Sequence, residues 1–377
     1  MVSRASTWDK RGTPSLMGNA SENVGIISMA TNSTSIGILG ATGYTGAELL
    51  RLLADHSSAR VTCMTSERFA GQTIDQVFPH LGGRGDLPSL TKIGEDDLGK
   101  LDVVFGCLPH GTTQEVIGAL PKGPKVIDLS ADFRLHDPAL YECTYGKPHR
   151  AVERQKSAVY GLTEFARDAI RRTDLVANPG CYPTTCQLPL RPLLEAGLIM
   201  TDPIVIDAKS GVTGAGRAPR EGSLHSEVSE GLHAYGVSSH RHTPEIEQGL
   251  SESAGEPVAV TFTPHLVPMN RGLLATSYVH LRGNVVAEDL QAELERRYRD
   301  EPFVRVLPFK SLPATRHVRG TNLCLVAVHP GRLPDRAILL SVTDNLVKGA
   351  SGQALQNMNV MLDLLETDGL GQTPLFP

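Results

Sequence analysis

A short apolar segment runs directly into three evenly spaced glycines in Ser35-Ile36-Gly37-Ile38-Leu39-Gly40-Ala41-Thr42-Gly43-Tyr44-Thr45-Gly46. Residues 35–39 have the composition of a buried strand, and residues 47–55 place leucines on one side of a helix. Between a strand and a helix, such a turn brings backbone N–H groups close to a pyrophosphate. We therefore expect a dinucleotide-binding loop here, rather than a glycine-rich turn that binds nothing. Its expected cofactor contacts are Gly40, Thr42, Gly43, Tyr44, Thr45 and Gly46.

A second predicted strand, residues 60–64, ends in Thr65-Ser66-Glu67-Arg68. After the second strand of such a fold lie the residues that bind the adenosine ribose. An acid there favours NAD, and an arginine accommodates the 2′-phosphate of NADP. Both types are present, as Glu67 and Arg68. Because Ser66 and Arg68 flank the position, the sequence favours NADP as the cofactor.

Strands and helices continue to alternate along the first half of the chain. Residues 101–108 and 125–129 have the pattern of strands, and the first of these is followed by Pro109 and His110. Loops at the carboxyl ends of parallel strands line the cofactor crevice, so Pro109 is a predicted cofactor contact. His110 either contacts the cofactor or lies on the loop surface. The alternation predicts an α/β fold with a Rossmann-type, doubly wound parallel sheet over 36–178.

The 377 residues suffice for roughly two domains, and 40% hydrophobic with 20% charged residues is typical of globular proteins. A net charge of −5 gives no reason to expect nucleic-acid binding. No apolar run approaches the roughly 20 residues that a membrane span needs. Six cysteines without paired spacing indicate neither a disulfide scaffold nor a zinc site. No metal is expected, and a reducing compartment is the simplest interpretation.

Residues 1–35 are polar, contain few acids and show no periodicity. We expect this leader to be disordered and to lie outside the fold. Met29 lies shortly before the first predicted strand, so the biological start is either Met29 or an upstream residue that begins a transit peptide. The expected location is the cytoplasm, with a plastid or mitochondrion as the alternative if residues 1–28 are a targeting peptide.

A sharp turn near the middle of the chain carries a cysteine, in Asn178-Pro179-Gly180-Cys181-Tyr182-Pro183-Thr184. A short apolar run precedes the turn, and a helix-like stretch over 184–196 follows it. Cys181 is therefore expected at or near a helix N-terminus, where partial positive charge and free N–H groups favour a thiolate. The alternative is a buried structural cysteine, which the rest of the chain disfavours.

Beyond Cys181 the chain is rich in strands, with one strong helix over 287–298. This pattern predicts an α+β domain over 179–344 with a mostly antiparallel sheet. The predicted strands are 204–208, 258–262, 274–281, 303–307, 323–328 and 337–343. A final helix over 349–364 is expected to pack back on the first domain, which residues 345–377 would complete.

Two loops of the second domain carry polar side chains. Residues 209–217 contain glycines and hydroxyl groups that suit an anion or a cofactor, with Arg217 as a charged clamp, although glycine-rich hairpins are also common turns. His240 and His242 follow and are candidates for the general base that a thiol nucleophile needs. The two histidines could also indicate a metal site, but no third ligand lies at a plausible spacing.

A dinucleotide loop, a cysteine before a helix and a downstream histidine together indicate hydride transfer through a covalent thioester. The Cys181 thiolate attacks an activated acyl group such as an acyl phosphate, and the leaving group departs. Hydride from NADPH reduces the thioester, and the thiohemiacetal collapses to an aldehyde while a histidine relays a proton. Backbone N–H groups near Cys181 stabilise the oxyanion.

Five motifs resemble those of the N-acetyl-gamma-glutamyl-phosphate reductases of arginine biosynthesis, a family related to aspartate-semialdehyde dehydrogenase. They are residues 40–46, 178–184, 210–217, 240–245 and 344–350. The resemblance runs from about residue 36 to the C-terminus. It implies NADPH-dependent reduction of N-acetyl-L-glutamyl 5-phosphate to the 5-semialdehyde, with release of phosphate. It also implies a homodimer or homotetramer built through the second domain, which would be both catalytic and dimerising.

By the same resemblance Cys181 is the nucleophile and His240 the general acid/base, with His242 as the second choice. Asn345 and Gly349 would lie near the nicotinamide. The remaining implied contacts are Gly211 to the cofactor and Arg134, Ser210 and Arg217 to the substrate.

Two other functions are compatible with parts of the sequence. A sister reductase would act on aspartyl or N-acyl-aminoadipyl phosphate by the same chemistry, but the motifs favour the acetylglutamyl substrate. A non-catalytic NADP-binding redox sensor would join Cys181 and Cys186 in a regulatory disulfide. Five residues apart on one helix, these cysteines would point to different faces, with their Cα atoms too far apart for a bridge.

Overall fold

Two β-sheets organise residues 33–83 and 87–376, which are the residues that the computed structural model describes. The predicted leader falls outside them except at its end, where Thr34 and Ser35 already pair with Ala59 and Arg60 in the first sheet. Among these described residues, no helix is long and apolar enough to cross a membrane.

The first sheet has six strands in the order β2-β1-β3-β4-β6-β5, and every pairing is parallel. Its strands are β1 Thr34–Leu39, β2 Ala59–Met64, β3 Val103–Gly106, β4 Lys125–Asp128, β5 Val159–Tyr160 and β6 Leu175–Ala177. Strand β3 is buried throughout, as a parallel sheet covered by helices requires. The predicted doubly wound sheet is confirmed. The strand order reverses between β1 and β3, and ligands of such sheets bind at that point.

The second sheet has seven strands in the order β11-β12-β13-β10-β7-β9-β8. Its strands are β7 Ile204–Gly211, β8 His233–Ala234, β9 Val260–Val267, β10 Leu273–His280, β11 Val304–Val306, β12 Cys324–Pro330 and β13 Arg336–Thr343. The β11–β12 and β7–β9 pairs are parallel, and the other four are antiparallel. The predicted α+β arrangement with a mostly antiparallel sheet is therefore confirmed.

Eleven α-helices lie in the described part of the chain. They are α1 Tyr44–Leu53, α2 Ile74–Val77, α3 Thr113–Ala119, α4 Pro138–Tyr145, α5 Val152–Gln155, α6 Thr163–Arg172, α7 Cys181–Glu195, α8 His225–Val228, α9 Thr243–Ala254, α10 Ala287–Tyr298 and α11 Gly352–Met361. The prediction of one strong helix after the cysteine turn missed α9. This helix contains few large apolar residues and therefore gives a weak sequence signal. It packs on α7 through Ile246, Leu250 and Gly249, and a Cβ added at Gly249 would clash with the Gln187 side chain.

The predicted final helix begins differently from the expectation. A π-turn, Val347–Ser351, precedes α11. Leu355 and Met358 of α11 lie in the same core cluster as Ile36 of β1 and Leu49 of α1. The helix thus packs against the elements that flank the glycine loop.

Candidate active site

The turn after β6 places Cys181 as the first residue of α7. Gly180 is the N-cap, and its extended backbone directs the chain into the helix. The Cys181 side chain is half-buried. It thus lies at a helix N-terminus, as the sequence predicts.

Burial raises the pKa of the Cys181 thiol to about 11, although the positive charges of Arg134 and Arg241 act in the opposite direction. Burial therefore opposes the thiolate that the sequence predicts at this position. Desolvation disfavours the charged form of the thiol more strongly than the nearby cations favour it. At neutral pH the resting Cys181 is protonated.

A buried carboxylate holds this turn in place. Glu245 is 1% exposed and accepts the Gly180 N–H through Oε1 at 2.8 Å. The same oxygen accepts the Tyr160 hydroxyl at 2.9 Å, and Oε2 accepts Arg134 Nη1 at 3.2 Å. Glu245 therefore fixes the N-cap of α7 and neutralises a buried arginine. The sequence analysis assigns no role to Glu245. The only signal for it in the sequence is its place at the end of the motif 240–245.

The two candidate histidines contact each other, with ring centroids 4.9 Å apart, and both contact the Tyr182 ring. His240 Nδ1 accepts the backbone N–H of His242 at 3.1 Å, so the His240 proton is on Nε2. His242 Nε2 lies 3.5 Å from Arg134 Nη1, and a Cβ at Gly180 would lie 2.7 Å from it. Because arginine only donates, His242 Nε2 is the unprotonated atom. It faces the N-cap of α7.

Burial keeps both imidazoles neutral. It lowers the pKa of His240 to about 4, with help from the charge of Arg241. It also holds the pKa of His242 well below its usual range. Before substrate binds, the site therefore contains a thiol and two neutral imidazoles, one of which presents an unprotonated nitrogen to the cysteine turn.

Arg134 lies beneath the turn rather than at an open surface. It is 7% exposed, and its guanidinium donates to the Asn178 carbonyl at 2.9 Å and the Leu129 carbonyl at 3.1 Å, as well as to Glu245. These contacts use at least three of its five N–H groups. As a predicted substrate anchor it therefore has few donors left for an anion.

The loop after β7 is held by the turn between β9 and β10. Ser210 is 2% exposed, and a Cβ at Gly211 would lie 2.7 Å from the Asn270 carbonyl oxygen. Asn345 accepts the Gly272 N–H at 2.8 Å and donates to the Thr213 hydroxyl at 2.9 Å. Of the three predicted contacts here, Asn345 thus shapes the loop through hydrogen bonds, Gly211 through a close backbone approach, and Ser210 is buried beside them.

The glycine loop closes tightly around the end of β1. Gly40 has φ +78°, and a Cβ there would lie 2.7 Å from a backbone oxygen that follows β3. A Cβ at Gly46 would lie 2.6 Å from the Ala41 Cα, so both positions require glycine. Gly43 is the N-cap of α1, whose first-turn N–H groups, on residues 44–46, have no acceptor inside the helix. The loop therefore fits the pyrophosphate of a dinucleotide.

In folds of this type the segment after β2 binds the adenosine ribose. The hydroxyls of Thr42 and Ser66 share a hydrogen bond of 2.8 Å, so the glycine loop contacts this segment directly. Glu67 Oε1 accepts the Ile93 N–H at 3.1 Å, which ties the acid to the backbone. Arg68 packs over a neighbouring aromatic ring. Arg217 joins the same region and donates to the Thr42 carbonyl at 2.9 Å.

The π-turn Val347–Ser351 connects the glycine loop to the cysteine turn. Ser351 donates its hydroxyl to the Thr45 carbonyl at 2.9 Å. The Asn178 amide donates to the Ala350 carbonyl at 3.1 Å. A Cβ at Gly349 would lie 2.8 Å from the Cys181 Cβ. The π-turn therefore brings the predicted nucleotide loop and nucleophile together, a role of Ser351 that the sequence does not reveal.

The remaining predictions concern the loop after β3, the two cysteines of α7 and metal ligands. Pro109 follows β3 at the carboxyl edge of the sheet, and His110 Nδ1 lies 3.4 Å from Arg241 Nη1. Cys181 and Cys186 are both free thiols on α7. Within residues 33–83 and 87–376, no group of three or more His, Cys, Asp and Glu side chains could hold a metal ion.

Two family models match the chain. Residues 35–173 match the semialdehyde dehydrogenase NAD binding domain, and residues 181–345 match the semialdehyde dehydrogenase dimerisation domain. The chain therefore contains an NAD(P)-binding domain and a dimerisation domain.

Several relatives are similar over most of the chain. A protein of Arabidopsis thaliana named probable N-acetyl-gamma-glutamyl-phosphate reductase, chloroplastic, is 58% identical over 91% of this chain and 85% of its own length. The N-acetyl-gamma-glutamyl-phosphate reductase of Rhodospirillum rubrum is 60% identical over 91% of this chain and 99% of its own length.

Solved structures show the same fold at low identity. Aspartate semialdehyde dehydrogenase II from Vibrio cholerae superposes with a TM-score of 0.69 at 18% identity, covering 88% of this chain and 99% of that one. Aspartate semialdehyde dehydrogenase with NADP from Candida albicans gives a TM-score of 0.64 at 16% identity, with 88% and 98% covered.

Proposed function

This chain belongs to the N-acetyl-gamma-glutamyl-phosphate reductase family, and we propose that it reduces N-acetyl-L-glutamyl 5-phosphate to N-acetyl-L-glutamate 5-semialdehyde in arginine biosynthesis. The observation that carries this proposal is the position of Cys181. It lies at the head of α7, between a π-turn that contacts the nucleotide loop and a histidine nitrogen that can accept a proton.

In the first half of the reaction Cys181 becomes acylated. The thiol proton passes to His242 Nε2, and the sulfur attacks the acyl carbon of the substrate. A carbon–sulfur bond forms, the bond between carbon and phosphate oxygen breaks, and phosphate leaves with that electron pair. Backbone N–H groups at the head of α7 stabilise the oxyanion. His240, whose Nδ1 is used by a backbone N–H, offers a hydrogen bond through Nε2.

In the second half the acyl group leaves as an aldehyde. NADPH supplies a hydride to the acyl carbon. The carbon–sulfur bond then breaks, the carbonyl of the semialdehyde forms, and the sulfur recovers its proton from His242. Because both imidazoles are neutral in the resting protein, the cycle returns the site to the state that the structure describes.

NADP is the proposed cofactor in preference to NAD. Arg68 and Ser66 follow β2, where such folds bind the adenosine ribose, and one oxygen of the Glu67 carboxylate already accepts a backbone N–H. Cofactor contacts are proposed at residues 40, 42–46, 66, 68, 109, 211 and 345. Arg134 and Ser210 are proposed near the substrate, with Arg134 acting chiefly by orienting His242 and Glu245.

The family models support the assembly and the domain limits that we propose. The dimerisation domain supports a homo-oligomer, and we assign a homodimer or homotetramer through this domain. The proposed limits are 36–178 and 179–344, with 345–377 completing the nucleotide domain. The proposed location is the cytoplasm, with an organelle as the alternative, since the plant relatives are named chloroplastic.

Running the reaction backwards tests the function. The protein is mixed with N-acetylglutamate semialdehyde, NADP and phosphate, and absorbance of the reduced nicotinamide is followed. Formation of NADPH that depends on phosphate is the expected result, and omission of phosphate is the control. Aspartate semialdehyde is the parallel substrate, and a preference for it would move the chain to a sister activity. Silence with both, despite cofactor binding, would favour the redox sensor.

A further inference from the structure

Arg217 lies at the nucleotide loop, although the sequence suggested a contact to the substrate. We propose that Arg217 and Arg68 together bind the adenosine 2′-phosphate of NADP(H), so that a residue of the dimerisation domain sets the choice of cofactor. The inference rests on the NADP preference proposed above and adds a second arginine, from the other domain, to it.

The guanidinium of Arg217 is fixed by three contacts. Nη1 donates to the Thr42 carbonyl oxygen at 2.9 Å. The guanidinium carbon lies 4.4 Å from the centroid of the Phe78 ring and 5.8 Å from that of Phe69. Of the five guanidinium N–H groups, the hydrogen bond to the Thr42 carbonyl uses one and the contacts with the aromatic rings use none. Arg217 therefore lies beside Thr42, the residue that precedes the N-cap of α1.

Arg68 approaches the same aromatic ring. Its guanidinium carbon lies 5.0 Å from the centroid of Phe69. The hydrogen bond between Thr42 and Ser66 joins the glycine loop to the segment that carries Arg68. Because this segment follows β2, where the adenosine ribose binds in such folds, both guanidinium groups lie at the ribose end of the crevice.

The local charge favours an anion. In the part of the chain that the structure describes, neither Arg68 nor Arg217 forms an ion pair with a carboxylate. Glu67, the nearest acid in sequence, directs its carboxylate to the Ile93 N–H. Two cations around one aromatic ring repel each other weakly in water, and a phosphate dianion placed between them accepts hydrogen bonds from both. A ribose hydroxyl gains much less from the same pair.

The loop that carries Arg217 is built into the second sheet. Thr213 donates its hydroxyl to the Asn270 carbonyl at 2.6 Å and accepts from the Asn345 amide at 2.9 Å. Gly216 has φ +85°, which turns the chain toward the nucleotide loop just before Arg217. Thr213 and Asn345 therefore help to position Arg217, because they hold the loop that carries it.

Nucleotide binding without turnover tests the proposal. Affinities of the full chain for 2′,5′-ADP and 5′-AMP are measured by calorimetry, for the wild-type protein, Arg217→Ala and Arg316→Ala. Arg316 is the matched control, an exposed arginine whose guanidinium carbon lies 5.7 Å from the centroid of the Phe376 ring. Arg217→Ala is expected to weaken 2′,5′-ADP by roughly tenfold or more, as for a lost charge-assisted hydrogen bond. It should leave 5′-AMP within about twofold, and Arg316→Ala should change neither.

The outcomes separate the two proposals. If the wild-type protein binds 2′,5′-ADP no more tightly than 5′-AMP, the NADP preference fails, and the role of Arg217 fails with it. If the wild-type protein prefers 2′,5′-ADP and Arg217→Ala keeps that preference, only the role of Arg217 is overturned. A rise in KM for the acyl phosphate without a change in nucleotide affinity would return Arg217 to the substrate. Arg217→Lys, which keeps the charge, controls for loss of folding.

Discussion

Gly349 packs so closely against Cys181 that a Cβ at position 349 would lie 2.8 Å from the Cys181 Cβ. Real side chains do not approach this closely, so the π-turn and the cysteine turn fit together only because residue 349 has no side chain. The π-turn and the cysteine turn are thereby set at one fixed spacing.

This contact predicts the effect of a single methyl group. Gly349→Ala should displace Cys181 and lower kcat strongly, with a loss of about 1–3 kcal/mol in the free energy of unfolding from overpacking. Gly371→Ala is the control, because a Cβ there meets nothing within 4 Å. Steady-state kinetics and urea unfolding measure both effects. Full activity of Gly349→Ala would show that the cysteine need not keep this spacing.

The burial of Cys181 predicts how its reactivity depends on pH. Since the pKa is about 11, the thiolate fraction lies below one half over the whole neutral range and rises about tenfold per pH unit. Inactivation of the free enzyme by iodoacetamide should accelerate accordingly from about pH 7 to about pH 10. The measurement is made on the Cys143→Ser variant, because the exposed Cys143 would also react with iodoacetamide. A rate that levels off near neutral pH would instead support the thiolate that the sequence suggested.

The hydrogen bonds of the two imidazoles predict unequal roles. His242→Asn should lower kcat by about a hundredfold or more, as for a lost general base. His240→Asn should cost less, because the Nδ1 of His240 accepts a backbone N–H at 3.1 Å and Nε2 carries the proton, whereas the contact of His242 Nε2 with Arg134 is longer, at 3.5 Å. Calorimetric binding of 2′,5′-ADP, expected to be unchanged, controls for folding. A larger loss for His240→Asn would restore the order that the family resemblance suggests.

The buried pair of Glu245 and Arg134 predicts a stability effect. Glu245→Ala leaves the guanidinium buried without its counter-charge, and the free energy of unfolding should fall by about 3–5 kcal/mol. Glu256→Ala removes an exposed partner of Arg282 and should cost less than about 1 kcal/mol. Urea unfolding of both variants makes the comparison. Equal losses would mean that Glu245 does not hold the turn.

Features that depend on neighbouring residues could be predicted from the sequence. The β1–loop–α1 unit follows from apolar residues that run into glycines required by tight backbone contacts, such as Gly40. The position of Cys181 at a helix N-terminus follows from Pro179 and Gly180 before a helical stretch. Each of these signals lies within about ten residues of the structure that it specifies.

Features that depend on distant contacts could not be predicted. Glu245 reaches Gly180 across 65 residues, and Arg217 reaches Thr42 across 175 residues. The raised pKa of Cys181 has the same origin, because desolvation depends on everything that surrounds the thiol and not on the helix alone. The helix α9 could not be predicted for a similar reason. It packs on α7 partly through Gly249, and a glycine adds nothing to a periodic apolar pattern.

The thioester at Cys181 is the central claim, and intact-protein mass spectrometry tests it most directly. The protein is incubated with N-acetylglutamate semialdehyde and NADP without phosphate, so that oxidation stops at the acyl-enzyme. We expect a burst of NADPH close to one equivalent per site, and one N-acetylglutamyl group on the peptide that contains Cys181. Cys181→Ser should bind 2′,5′-ADP and show neither. Phosphate-dependent turnover without any adduct on Cys181, or an undiminished burst in Cys181→Ser, would contradict the mechanism.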